Sequence, residues 1–276
     1  WRSSVMLKKR LIFTLLYNNG QFMLSRNFRL QKVGSLQWLQ TNYKFSHISY
    51  SIDELIVLDV TRGEQKPEEF CAALQLLTEG CYVPIAAGGG VRTIEAARNL
   101  LRSGADKVVV NSALYENNGF VGHMASEFGQ QCVVASMDIK SAPDGSYQAW
   151  SESGNKCLEG SAAKWIEQVV QDDVGELYLN SMDRDGTGQG YDLGLLDLLP
   201  ANMSKPVILA GGVGNATHLA AGLAESRVDA VATAHLFTFV GDGLKQARQS
   251  LISSGVELPL WDIQLLEQHL GIEQVG

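Results

Sequence analysis

One stretch of this chain occurs twice at a fixed distance. Pro84-Ile85-Ala86-Ala87-Gly88-Gly89-Gly90-Val91 lines up with Pro206-Val207-Ile208-Leu209-Ala210-Gly211-Gly212-Val213, 122 positions on. The same offset carries Glu54-Leu55 onto Glu176-Leu177, and the apolar run 11–16 onto 133–138. Three matches in one register mark a duplicated unit, so the fold must divide into two equivalent halves. Short runs rich in Val, Ile and Leu fall at 10–16, 54–60, 83–87, 107–111, 132–138, 176–182, 206–210 and 230–236. Each is followed by Gly, Asn or Asp and then by a stretch that can be helical. Thr93-Ile94-Glu95-Ala96 has the form of a capped helix start, with Gly104 as its stop. Eight such units predict an α/β fold, a closed parallel (βα)8 TIM barrel built from two half-barrels. A length of 276 residues suits one such barrel over residues 1–276. The tail 255–276 is expected to pack on its outside. Met6 reads as the start, with residues 1–5 extra to the fold.

Composition removes several classes of function. With 22 basic against 30 acidic residues the net charge is −8, and the basic residues are scattered. A general nucleic-acid surface is excluded, although a local phosphate pocket is not. The longest apolar run near the start, 11–17, is far short of the ~18 residues a membrane helix needs. No signal peptide is legible ahead of it. Cys71, Cys81, Cys132 and Cys157 form no CxxC pair and sit in no nucleophile elbow. They read as reduced thiols of a cytoplasmic protein, with no metal site and no cofactor expected.

Two segments break the alternation. Residues 17–33 form a long first loop with Asn18-Asn19-Gly20 and the basic Arg26, Arg29 and Lys32. Residues 141–157 read as a small hairpin turning at Pro143-Asp144-Gly145, with Tyr147, Ala149 and Trp150 pairing. Both fall on the C-terminal face, where barrels keep their active sites.

Three constellations carry candidate chemistry. The first is glycine-rich: Gly88-Gly89-Gly90 exposes backbone N–H groups beside a helix start, and Asn111-Ser112 adds side-chain donors. Gly211-Gly212 with Ala234-His235 forms the related cradle in the other half, so two phosphate sites face one mouth. Tight turning alone is the plainer account, and His235 is bulky for a phosphate site. The second set is carboxylates at strand ends: Asp59, Asp138, and Asp183-Arg184-Asp185-Gly186-Thr187. Asp138 is the best acid or base, because burial raises a carboxyl pKa toward neutrality. Its half-barrel partner is Leu16, so a mechanism with two symmetric carboxylates is broken. The third set stands at strand starts: Arg10, Glu54, Lys107 and Glu176 point to the barrel floor. They either plug it as a salt-bridge ring or gate the entry of a small polar molecule.

These stretches resemble the cyclase subunit of imidazole glycerol phosphate synthase over residues 6–255. The run Ser181-Met182-Asp183-Arg184-Asp185-Gly186-Thr187 with Gly190-Tyr191-Asp192 is the most specific, beside Ala87-Gly88-Gly89-Gly90-Val91-Arg92-Thr93 and Asn111-Ser112-Ala113. The resemblance implies a glutaminase subunit docked on the floor, whose ammonia passes a charged gate matched by Arg10, Glu54, Lys107 and Glu176. Asp138 matches a catalytic aspartate and Asp59 a mouth aspartate. Gly90, Asn111 and Ser112 match one phosphate site of a phosphorylated small-molecule substrate. Asp185, Gly186, Gly212, Ala234 and His235 fall around the other. The departures cluster: Leu16 replaces the first-strand aspartate, and Leu24 a first-loop lysine. That pattern is similar to paralogues that work with a glutaminase-like subunit and an amidotransferase to form acetamidino groups on bacterial surface sugars. The alternatives are a histidine-pathway cyclase and a non-catalytic channelling scaffold.

Overall fold

The computed structural model describes residues 8–43, 48, 50–117 and 119–260. Eight strands close a parallel barrel: β1 Arg10–Asn18, β4 Glu54–Asp59, β5 Ile85–Gly88, β6 Lys107–Val110, β7 Val133–Ser141, β10 Glu176–Ser181, β11 Val207–Ala210 and β12 Ala230–Thr233. Each pairs with the next in that order, and β12 returns to β1. Alternation along each strand makes two cores. Leu11, Phe13, Leu15, Leu55 and Val57 face outward to the helices, while Ile12, Ile56, Val109, Val134, Tyr178 and Ile208 fill the barrel axis. Burial on both faces is why these strands read as near-continuous apolar runs.

The duplication repeats hydrogen bond by hydrogen bond. Ile85 N donates to Asp106 Oδ2 at 2.8 Å, and its counterpart Val207 N donates to Asp229 Oδ2 at 2.9 Å. Leu55 N reaches Pro84 O, and Leu177 N reaches Pro206 O, both at 2.9 Å. Pro84 and Pro206 have no N–H to give a ladder, so the strands predicted over 83–87 and 206–210 begin just after them.

The outer layer holds α1 Leu36–Tyr43, α2 Pro67–Thr78, α3 Ile94–Arg102, α4 Ala113–Glu116, α5 Phe120–Phe128, α6 Ala162–Gln171, α7 Ala216–Ala224 and α8 Gly243–Ser253. Thr93 caps α3 as expected, its side chain accepting from Ala96 N at 3.1 Å. The unit after β10 departs from expectation: it carries only a 3₁₀ segment, Leu193–Leu198. Pro200 forces Leu199 into an extended conformation, which ends the segment before an α-helix can form.

The first loop is not irregular. It is a hairpin, β2 Gln21–Arg26 with β3 Arg29–Ser35, growing directly from β1. Asn19-Gly20 and Asn27-Phe28 form its two-residue turns, all four with positive φ, which matches the right-handed strand twist. The second insertion is the expected hairpin: Ser141 pairs with Tyr147, Ile139 with Ala149 and Asp138 with Trp150, along β8 Tyr147–Ser151, and β9 Lys156–Cys157 adds to its edge.

Beneath the barrel, Asp53 accepts Leu11 N at 2.8 Å and both terminal nitrogens of Arg248 at 2.9 and 2.8 Å. Arg248 also donates to Pro259 O, which fastens the start of the tail, where Leu258 is buried. The rest of the tail, 261–276, and residues 1–7 lie outside the described residues, with Met6 among them. No disulfide joins the four cysteines. No described helix is long and apolar enough to cross a membrane. Asp53→Ala would strand a buried guanidinium, and a loss of about 3–5 kcal/mol is expected in urea unfolding. A loss below about 1 kcal/mol would show that the pair is dispensable.

Candidate functional site

The C-terminal ends of the barrel strands enclose a cavity of about 570 Å³. Asp138 lies in its wall on β7, 8 % exposed. Asn111 Nδ2 donates to its Oδ2 at 3.0 Å, and Asn180 Nδ2, from the neighbouring strand, to its Oδ1 at 2.8 Å. Burial pushes this carboxyl up to about 6 and Asp185 adds to the rise, against the pull of the two amide bonds. A carboxyl poised there can hold or release a proton near neutral pH. Asn111 Oδ1 is buried without a partner, one acceptor left over beside the carboxylate.

Both glycine cradles line the same cavity. Gly89 and Gly211 hold equivalent positions with φ of +110° and +90°, and a Cβ would come within 2.1 Å of Asp59 O in one and 2.6 Å of Ser181 O in the other. Gly90, Asn111 and Ser112 gather on one side, with Ser112 Oγ accepting from Glu152 N at 3.0 Å. Gly212, Ala234 and His235 gather on the other. Asp59, at the end of β4, lines the mouth and accepts Thr61 N at 3.0 Å, and burial raises its pKa.

Asp185 and Gly186 line the cavity too, but they serve the hairpin. Asp185 Oδ2 accepts Ser25 Oγ at 2.5 Å and Phe28 N at 2.9 Å, and its carbonyl accepts Asn27 N. Gly186 lies so close to Ser25 that a Cβ would sit 2.1 Å from the Ser25 carbonyl oxygen. Arg62 donates to the Phe28 carbonyl from the opposite rim. The hairpin therefore roofs the mouth, held on both sides. Leu16, Leu24, Phe28, Leu30, Leu58 and Val60 make one apolar wall beneath it.

At the other end of the barrel the four charges meet in a closed square. Arg10 bonds Glu54 at 2.8 Å and Glu176 at 3.0 Å; Lys107 bonds Glu54 at 3.0 Å and Glu176 at 2.8 Å. Every edge joins a cation to an anion. Burial raises Glu54, the deepest corner, although Lys107 and Arg10 oppose it. Glu176 is also raised by burial, but Arg10 and Lys107 outweigh that and hold it low. Burial disfavours the Arg10 charge, yet Glu176 and Glu54 keep its pKa up. Between floor and mouth, Thr14, Ser136 and Tyr178 line the lower part of the cavity.

Sequence reading thus placed the mouth and floor residues in two groups that the fold brings together. It missed Asn180, which the period of two from Glu176 through Tyr178 marks as axis-facing. It missed Arg62 and Arg92 in the cavity wall, since loops carry no such period. Among the described residues, no group of three or more His, Cys, Asp or Glu side chains could hold a metal ion.

Comparison with known proteins agrees with this architecture. A protein of Parasynechococcus marenigrum (strain WH8102), provisionally named imidazole glycerol phosphate synthase subunit hisF2, is 44 % identical over 259 residues, 94 % of this chain and 96 % of the relative. Residues 41–241, which run from α1 past the last barrel strand, match the family described as histidine biosynthesis protein. With a family match over residues 41–241 and a 44 % identical relative covered almost end to end, the chain belongs to the histidine biosynthesis protein family.

Proposed function

We propose that the chain is the ammonia-accepting, cyclase-type subunit of a glutamine amidotransferase complex. The observation that carries this reading is the charge square. Four ionised side chains close the narrow floor of the barrel, where nothing at the mouth needs them. A glutaminase subunit docked there would deliver ammonia past Lys107 into the axis, and Asp138 would act on it at the mouth, with a phosphorylated small molecule bound. The expected compartment is the cytoplasm.

Leu16 and Leu24 decide between branches. Both belong to the apolar wall of the cavity, so the position on β1 that the repeat pairs with Asp138 carries no proton-transferring carboxylate. This favours the branch that forms acetamidino groups on bacterial surface sugars, with a sugar amidotransferase as a further partner. The histidine-pathway cyclase is the second reading, favoured by the name of the 44 % identical relative. Introducing the chain with its glutaminase partner into a cyclase-deficient histidine auxotroph is expected to give no growth. Growth would establish the second reading instead. Leu16→Asp is expected to leave that result unchanged, because Leu24 and the rest of the wall still differ. Cyclase activity in that single variant would show that one carboxylate was the whole difference.

A further inference from the structure

The basic residues of the first loop have no part in the chemistry assigned so far. Residues 21–35, which hold β2 and β3, carry Arg26, Arg29 and Lys32 and no acid, in a chain of net charge −8. Arg26 and Arg29 stand directly opposite each other across the ladder, on one face of it, and both are exposed. Like charges so placed repel, at a cost that salt lowers but does not remove. Between them lies the Asn27-Phe28 turn, whose Phe28 carbonyl accepts the exposed Arg62 guanidinium. Three arginines therefore flank one turn on the roof of the mouth.

No carboxylate pairs with these three among the described residues. The acids around the turn are committed elsewhere. Asp185 Oδ2 takes Phe28 N and Ser25 Oγ, Asp183 Oδ2 takes Ser141 N and Oγ at 2.7 Å, and Glu152 lies 3.7 Å from Lys156. Keeping an exposed edge strand from pairing with other chains is the plainer role for such charges. Lys32 on β3 already serves it, and Arg26 stands on β2, which is not the edge strand. A repelling pair is accounted for when an oxyanion bridges it, because planar guanidinium groups hold phosphoryl oxygens in pairs. The turn is also fixed, by Asp185 and by Gly154 of the second hairpin, where an added Cβ would come 2.9 Å from the Phe28 ring. Its charges are thus presented in one arrangement.

We infer that Arg26, Arg29 and Arg62 form an anion site on the roof of the mouth, outside both glycine cradles, and that it takes a diphosphate group. Two joined phosphoryl groups can be held by the opposed pair and by Arg62 at once, since each guanidinium takes oxygens two at a time. Arg62 lines the cavity, whereas Arg26 and Arg29 lie outside it on the roof. The group therefore belongs either to a free anion or to a ligand that reaches out of the mouth. The inference rests on no step of the proposed reaction, and its test needs neither a glutaminase nor turnover, so the two can fail separately.

The test is calorimetric titration of the full chain with inorganic pyrophosphate in low-salt buffer. The double variant Arg26→Ala, Arg29→Ala should bind one pyrophosphate fewer per chain than the wild type. Lys32→Ala removes a charge from the opposite face of the hairpin. It should keep the wild-type stoichiometry, with affinity within about twofold. Arg29→Glu turns the repelling pair into an attracting one, so it should raise the melting temperature of the free chain by about 1–3 °C while losing the same site. Uridine diphosphate glucose separates the two sources. Binding about tenfold tighter than pyrophosphate assigns the site to a ligand reaching out of the mouth, and weaker binding assigns it to a free anion. Wild-type stoichiometry in the double variant, the same loss in Lys32→Ala, or no wild-type binding at about 10 mM pyrophosphate would each overturn the inference.

Discussion

Lys107→Met is expected to leave glutamine hydrolysis by the docked glutaminase running while glutamine-driven product falls by roughly tenfold or more. Added ammonium salt should restore that product, because free ammonia can enter from the mouth. Lys107 Nζ holds three carboxylate oxygens at once: Glu54 Oε1 at 3.1 Å, Glu54 Oε2 at 3.0 Å and Glu176 Oε1 at 2.8 Å. Methionine keeps most of the stem and removes the charge, so two carboxylates are left sharing Arg10. Breaking one partner of a buried ion group costs up to about 3–5 kcal/mol, and water at the partly open rim reduces that cost here. If the square were only a plug, product from glutamine and from ammonium would change together with stability. Equal loss from both nitrogen sources would make the plug the better account.

Asp138→Asn is expected to reduce product formation roughly a hundred- to ten-thousandfold, the range for loss of one general acid or base. The variant should still fold. Asn111 can turn its amide over, so that its Oδ1, now lacking a partner, accepts from the amide introduced at position 138. The sign of the stability change follows from the raised carboxyl. Its folded pKa, about 6, lies above the ordinary 3.8, so the native state binds that proton more tightly than the unfolded chain. Wild-type stability contributed by this group therefore falls as pH rises from about 4 to 6, by up to about 3 kcal/mol. Asparagine does not titrate. Melting temperatures should favour Asp138→Asn at pH 7.5, with the advantage closing toward pH 4. A wild-type advantage at pH 7.5 that persists unchanged at pH 4 would contradict the raised carboxyl.

The barrel was legible because its constraints are local and repeated. A fixed offset joining Pro84 to Pro206 and Glu54 to Glu176 identifies equivalent strands without any estimate of propensity. Strand-start charges and strand-end carboxylates follow from the same registers, which is why the floor square and Asp138 could be named. The first loop was not read as a hairpin although Asn19-Gly20 is a strong turn pair, because the second turn, Asn27-Phe28, gives no such signal. Phe28 at positive φ is an unfavourable residue for that position. Its N–H is held by Asp185, 157 residues away, so tertiary structure sets this turn. The same contact explains why Asp185, read beside a phosphate cradle, has its carboxylate committed to the roof. Its partners are not visible from its own loop. The missing α-helix after β10 has a local cause in Pro200.

The route of ammonia is tested most directly by isotope. The chain and its glutaminase partner would turn over glutamine labelled with ¹⁵N at the amide, in excess unlabelled ammonium. Delivery through the floor requires that product keep the ¹⁵N label despite the surrounding pool, and that Lys107→Met dilute it. Product whose label matches the solvent ammonium in the wild-type complex would contradict passage through the barrel.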